Sequence, residues 1–195
     1  MRALKSTSLR LLGAVCALVA AVPSTAQAAC PDQPTRQVFS RFGDYNWYYA
    51  APGGTFEYGT PAWTFSGAAL TAGNETYFVN ASSDRQSLRL PAGASALSPW
   101  TCVSPQHPTL RFFARKLTGT GGTLRVDLVT LAGTRLAGSV SNSGQYLTWR
   151  PTPTLDLAGA LSLSGTTTVN ARLRLSADSA GPWGVDDVFI DPYRR

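Results

Sequence analysis

The stretch ARLRL, residues 171–175, decides the fold class. Ala171, Leu173 and Leu175 occupy every second position with Arg172 and Arg174 between them, so an extended chain carries apolar groups on one face and charges on the other. A helix would scatter the same side chains around its circumference. LRVDL at 124–128 repeats the alternation, and LRL at 88–90 repeats it in miniature. Further strands are expected over 38–42, 45–49, 55–58, 63–65, 76–79, 110–115, 136–140, 146–149 and 185–190. Turn chemistry punctuates them: Pro52-Gly53-Gly54, Pro91-Ala92-Gly93, the glycine-rich 119–122 and Gly181-Pro182. Residues 158–163 offer at most one helical turn. About a dozen short strands with these breaks predict an all-β, two-sheet antiparallel sandwich, for which a jelly roll is one common topology.

The N-terminus bounds where such a domain works. Arg2, Lys5 and Arg10 precede an apolar run over 11–22, and Ala26-Gln27-Ala28 follows as a small-residue cleavage site. That order predicts a cleaved secretory signal over 1–28 and one β-sandwich domain over 29–195. The apolar run is shorter than the ~20 residues that span a bilayer, so no membrane association is expected after cleavage. Gln27, three residues before Cys30, disfavours a lipidation site. The 195-residue chain has a net charge of +6, and the signal removes three of its 17 basic residues and none of its 11 acids. A nucleic-acid partner therefore loses its main support. Cys16 leaves with the signal, and Cys30 and Cys102 remain. In an oxidising compartment they are expected to pair, closing a loop whose restriction in the unfolded chain stabilises by roughly 4 kcal/mol.

The sequence offers little to catalysis. His107 is its only histidine, no G-x-S-x-G surrounds a nucleophilic serine, and H-E-x-x-H is absent. A carboxylate pair such as Glu57 with Asp187 keeps a small hydrolase as a third alternative. A better use for the acids lies in PWGVDDVFIDPYRR, residues 182–195, where Asp186, Asp187 and Asp191 interrupt a segment built like a buried strand. Calcium takes hard oxygen ligands from carboxylates and carbonyls. Consecutive strand residues face opposite ways, so one of Asp186 and Asp187 is expected to point inward as a calcium ligand, with Glu57 as its companion.

Aromatic residues are the other candidates. Tyr45, Trp47 and Tyr49 would share one face of a strand, with Trp63, Trp100, Trp149 and Trp183 adding to the supply. Flat rings with a polar edge suit stacking on sugars. Trp47, Tyr49 and Trp63 are the expected ligand-binding set. Sequons at Asn74 and Asn80 are discounted, because the signal sequence has a bacterial character.

GGTFE at 53–57, the following Trp63 and the closing WGVDDVFIDP at 183–192 resemble the first and last motifs of jelly-roll carbohydrate-binding modules of the four, nine and twenty-two families. That resemblance implies a galactose-binding-like jelly roll, in which an early Glu and a late Asp support a structural calcium. GNE at 73–75, SLRLPAG at 87–93, HPTLRFF at 107–113 and the terminal DDVFIDPYRR are similar to a set of secreted actinobacterial proteins, which implies export and no particular activity. The expected protein is a secreted, non-catalytic sandwich that binds a polysaccharide or cell-wall glycan. The alternative is an extracellular structural or protein-interaction domain, favoured by a broad exposed apolar patch.

Overall fold

The computed structural model describes residues 30–191 apart from residue 59. The expected signal sequence, 1–28, and the closing residues 192–195 lie outside them. In chain order the described strands are β1 (Tyr49–Ala50), β2 (Thr64–Ser66), β3 (Ala69–Ala72), β4 (Gln86–Leu90), β5 (Ser95–Val103) and β6 (Thr109–Lys116). They continue as β7 (Thr123–Thr130), β8 (Gly133–Ser141), β9 (Arg150–Pro151), β10 (Leu155–Asp156), β11 (Val169–Ala177) and β12 (Trp183–Asp191). One turn of helix, α1 (Leu157–Ala160), follows β10, with the Asp156 carboxylate accepting the Gly159 N–H at its start.

Two antiparallel sheets result. The larger runs β10-β6-β12-β4-β3, with β1 also on β12 and β9 also on β6; the smaller runs β2-β5-β11-β7-β8. The chain crosses from β4 to β5, back to β6, over to β7 and β8, back to β9 and β10, over to β11 and home to β12. This repeated switching between sheets is a jelly-roll sandwich. ARLRL does what its alternation dictates: Ala171, Leu173 and Leu175 are buried between the sheets, facing Leu88, Leu110, Phe112 and Val185 among others. A single disulfide joins Cys30 to Cys102 on β5.

The larger sheet is buried on part of its outer face too. Phe112 enters the main core, while its neighbour Phe113 points the other way into a second cluster with Val38, Phe39, Tyr48, Trp149 and Phe189. Phe39 stacks on Phe113 at 5.5 Å and meets Phe189 and Tyr48 edge-on, and the Arg111 guanidinium lies 4.7 Å over its ring. Residues 36–48 thus form a cover on the sheet. This explains the strands that the sequence pattern places wrongly. The 38–42 segment is a 3-10 turn (Ser40–Phe42), only Tyr49 of 45–49 enters a ladder, and 55–58, 76–79 and 146–149 contribute no strand. Phe39, Phe56, Tyr146 and Trp149 of these segments are buried without joining a strand, whereas Tyr45, Trp47, Tyr58 and Phe78 are exposed.

Central β12 is buried along its whole length, and its regular pairing with β6 breaks once. Asp186 opposes Phe113 and Phe189 opposes Arg111, so β12 holds one extra residue, and Asp187 carries a φ of 49°. Both Asp186 and Asp187, at this β-bulge, are fully buried, on a strand that is covered on both faces. The 51–54 turn docks beside it, with Ala51 N–H donating to Val188 O and Val188 N–H to Gly54 O. Gly54 is required there, since a Cβ would lie 2.7 Å from Val188 O.

Candidate ligand groove and buried acid cluster

Beyond the aromatic cover, the outer face of the larger sheet opens into a groove of about 340 Å³, within the range of small-molecule sites. Thr71 of β3, Ser87 and Arg89 of β4, Gly184 of β12 and Arg115 of β6 form its floor, and Asn74, Thr76 and Trp149 stand at its sides. Arg89, Gly184 and Arg115 are direct cross-strand partners, one row over three strands. Gly184 is small for a packing reason: a Cβ there would come within 3.0 Å of Trp149 and 3.3 Å of Leu117. The Trp149 ring lies beneath the Arg115 guanidinium at 5.0 Å, which holds that long side chain in place. Arg115 Nε and Asn74 Oδ1 are buried and have no hydrogen-bond partner within the protein. Such groups are costly unless something external satisfies them.

Asn74 leads directly into a second feature beneath the loop. Glu75, Asp84, Asp186 and Asp187 are all buried. Glu75 accepts the N–H groups of Tyr77 and Val79, and Asp84 accepts the Ala81 N–H and the Asn80 side-chain amide. Asp186 accepts the backbone N–H of Glu75 and of Asp187. Asp187 differs: both its oxygens are buried without a completed hydrogen bond. Burial, followed by the Asp187 charge, pushes the Asp186 carboxyl well above its usual range. Burial, then the charges of Glu75 and Asp84, does the same to Asp187, while the Asn80 N–H acts in the opposite direction.

Unpaired buried carboxylates demand either protons or a cation. The oxygen-only donor set suits calcium rather than a transition metal. Among the described residues, no three His, Cys, Asp or Glu side chains already converge on one metal position. An ion held at Asp187 would therefore draw further oxygens from backbone carbonyls.

No family model and no curated protein matches the chain by sequence. Several solved structures are similar in shape. The C-terminal CBM6 of LamC, a marine laminarinase from Zobellia galactanivorans, is 16% identical at a TM-score of 0.43, covering 66% of this chain and 93% of that one. TmCBM61, solved with β-1,4-galactotriose, is 14% identical at 0.40, covering 67% and 88%. The CBM22-1-GH10 modules of Clostridium thermocellum xylanase 10B, solved with xylohexaose, are 14% identical at 0.44, covering 68% of this chain and 26% of that one. The sandwich itself is read from the two sheets above.

The residues singled out from sequence fall in different places. Trp47 is 46% exposed, whereas Tyr49 and Trp63 are only 6% and 5% exposed. The latter two are corrections. Tyr49 pairs with Ile190 in β1 and its ring enters the core. Trp63 packs on Phe56 at 5.2 Å and donates its indole N–H to Pro52 O. Glu57 is corrected in part: its Oε1 accepts the N–H groups of Arg85 and Gln86, binding the 84–86 segment.

Sequence reasoning missed Glu75 and Asp84 as companions of the aspartate pair, as well as the Arg89–Gly184–Arg115 row. The GNE motif was the available signal for Glu75; for the row, it was a glycine inside a strand. His107 has Ser104 beside it. Ser104 Oγ lies 2.8 Å from Nδ1, within a turn where the His107 N–H donates to Ser104 O. Ser104 is buried, so the pair serves the turn. Among the described residues, no helix is long and apolar enough to cross a membrane.

Proposed function

We propose that this protein is an extracellular, non-catalytic carbohydrate-binding sandwich whose ligand lies in the groove on the outer face of the larger sheet, with a structural calcium at Asp187. The groove carries this reading. Arg89, Arg115, Asn74, Ser87 and Thr71 present hydrogen-bonding groups on a rigid floor, and two polar atoms at its walls have no partner in the protein. Sugars, with their dense hydroxyls, supply complementary groups. Binding is favoured over hydrolysis because no Asp, Glu or His lines the groove, so no general acid or base is present there. The Cys30–Cys102 bridge suits an oxidising compartment.

Calcium is supported by the two unclaimed oxygens of Asp187. Asp187 would be the direct ligand. Asp186 and Glu57, whose oxygens hold backbone N–H groups, would shape the site around it.

The test is retention of the protein on insoluble cellulose, chitin, xylan, peptidoglycan and cross-linked pectate, with albumin as control. Selective retention on at least one, lost in Arg115→Gln and kept in Trp47→Ala, is expected. Failure on all of them overturns the reading. One observation then favours a protein partner instead: Tyr58, Phe65 and Leu70 are exposed around a shallow apolar depression of about 170 Å³.

A further inference from the structure

Resting on that reading, we propose that the groove selects an anionic glycan, seating the carboxylate of a uronic-acid unit between Arg89 and Arg115 above Gly184. The two arginines oppose the same glycine from neighbouring strands on either side. Adjacent strands lie about 4.8 Å apart, so the two backbones are separated by roughly twice that distance, with no side chain on the residue between them. Trp149 and Leu117 pack over that glycine, and the groove above them is lined by both guanidiniums, which can grip a planar, charged group from two sides.

Balance of charge points the same way. Every hydroxyl of a neutral sugar has a hydrogen to donate as well as lone pairs to accept, so a site for one needs acceptors among its donors. Here the lining contains two guanidiniums and no acidic residue, so donors predominate. Guanidinium is a fork of fixed geometry that matches a carboxylate with paired, charge-assisted bonds. Arg115 is pre-organised by the Trp149 ring, and its Nε–H is the buried donor that lacks a partner. Pre-organisation lowers the ordering cost of binding. Asn74 Oδ1, the unpartnered acceptor, is then available to a hydroxyl of the same sugar.

The experiment is affinity electrophoresis and calorimetry of the mature chain with soluble polygalacturonate, its fully methyl-esterified form, neutral arabinoxylan and dextran sulfate. Polygalacturonate is expected to bind, methyl esterification to weaken binding at least tenfold, and dextran sulfate to bind more weakly than polygalacturonate. Arg89→Gln and Arg115→Gln should each lose at least tenfold. Arg135→Gln, the same charge change on the other sheet, should lose less than twofold. Arg89 is exposed, so its variant keeps the test meaningful should Arg115→Gln fail to fold. Equal binding of the ester, stronger binding of dextran sulfate, or an equal loss in Arg135→Gln overturns the proposal. Binding of arabinoxylan alone overturns it while leaving the carbohydrate-binding reading intact. Binding of none of these polymers, together with no retention on the insoluble panel, removes both.

Discussion

The backbone N–H of Glu75 donates to Asp186 Oδ2 at 2.8 Å, tying a loop to the central strand across 111 residues of sequence. The same loop carries Asn74 to the groove wall, and the Tyr77 hydroxyl donates to Trp149 O. Beneath it lies the orphaned Asp187 carboxyl. The acid cluster therefore underpins the candidate groove, and whatever neutralises Asp187 is expected to steady both.

Calcium is expected to raise the melting temperature relative to EDTA. At ten times its dissociation constant, linkage gives about 1.4 kcal/mol, and for a domain of this size that corresponds to about 3–6 °C. Asp187→Asn should abolish the calcium response and, by removing an unpaired buried charge, raise the melting temperature in EDTA. Glu57→Gln should reduce the response less than Asp187→Asn does. Differential scanning calorimetry reads all three. Identical melting of the parent protein in calcium and EDTA would exclude the ion.

The sandwich was legible because ARLRL and LRVDL lie on strands with one buried and one outward face, where period two is enforced. The cover over residues 36–48 was not, because Phe39 and Tyr48 bury themselves against each other and Phe39 against Phe113, which leaves no periodic trace in sequence. β5 was hidden for another reason. Pro99 and several polar residues interrupt it, and a register shift opposite Arg172 and Arg174 absorbs the proline. At the site, Asp186 and Asp187 stood out by composition, but their common burial depends on a central strand covered on both faces, which residue types do not announce. Glu75 and Asp84 join them only through tertiary contact.

Gly184→Ala tests the groove floor. The added methyl would lie 3.0 Å from Trp149 and 3.3 Å from Leu117, with Arg115 resting on the displaced ring. Overpacking of this kind costs about 1–3 kcal/mol. Urea midpoints should fall accordingly, and retention on the preferred polymer should weaken even where the variant remains folded. An unchanged midpoint would show that the ring does not rest on the strand.

Removing the disulfide should destabilise without unmaking the site. Cys30→Ala with Cys102→Ala frees a sequence separation of 72 residues, and loss of a native bridge costs about 2–5 kcal/mol. The bridge ends on β5 of the smaller sheet, whereas the groove lies on the larger one. Denaturant midpoints should therefore drop while polymer retention at 4 °C persists. Retention lost in parallel with stability would couple the two sheets.

Asp191 gives the fold a pH dependence separate from the buried acid cluster. Burial, then the negative charge of Asp44, pushes its carboxyl up to about 6, with Thr109 acting in the opposite direction. In the unfolded chain it titrates near 3.9. The folded state therefore holds this proton more tightly, so the stabilisation is complete below about pH 4 and is lost as pH rises through about 6. Asp44 behaves oppositely. Burial raises it, but hydrogen bonds from Tyr48, Asn46 and Arg111 together outweigh that and hold it below its usual value. Its contribution is present at neutral pH and is lost only as pH falls through that lowered value. Urea midpoints of the parent protein and Asp191→Asn, measured from pH 4 to 7, separate the two. Relative to the variant, the parent should lose stability between about pH 4 and 6. The difference should then level off. Parallel curves would mean that Asp191 keeps an ordinary carboxyl in the folded protein.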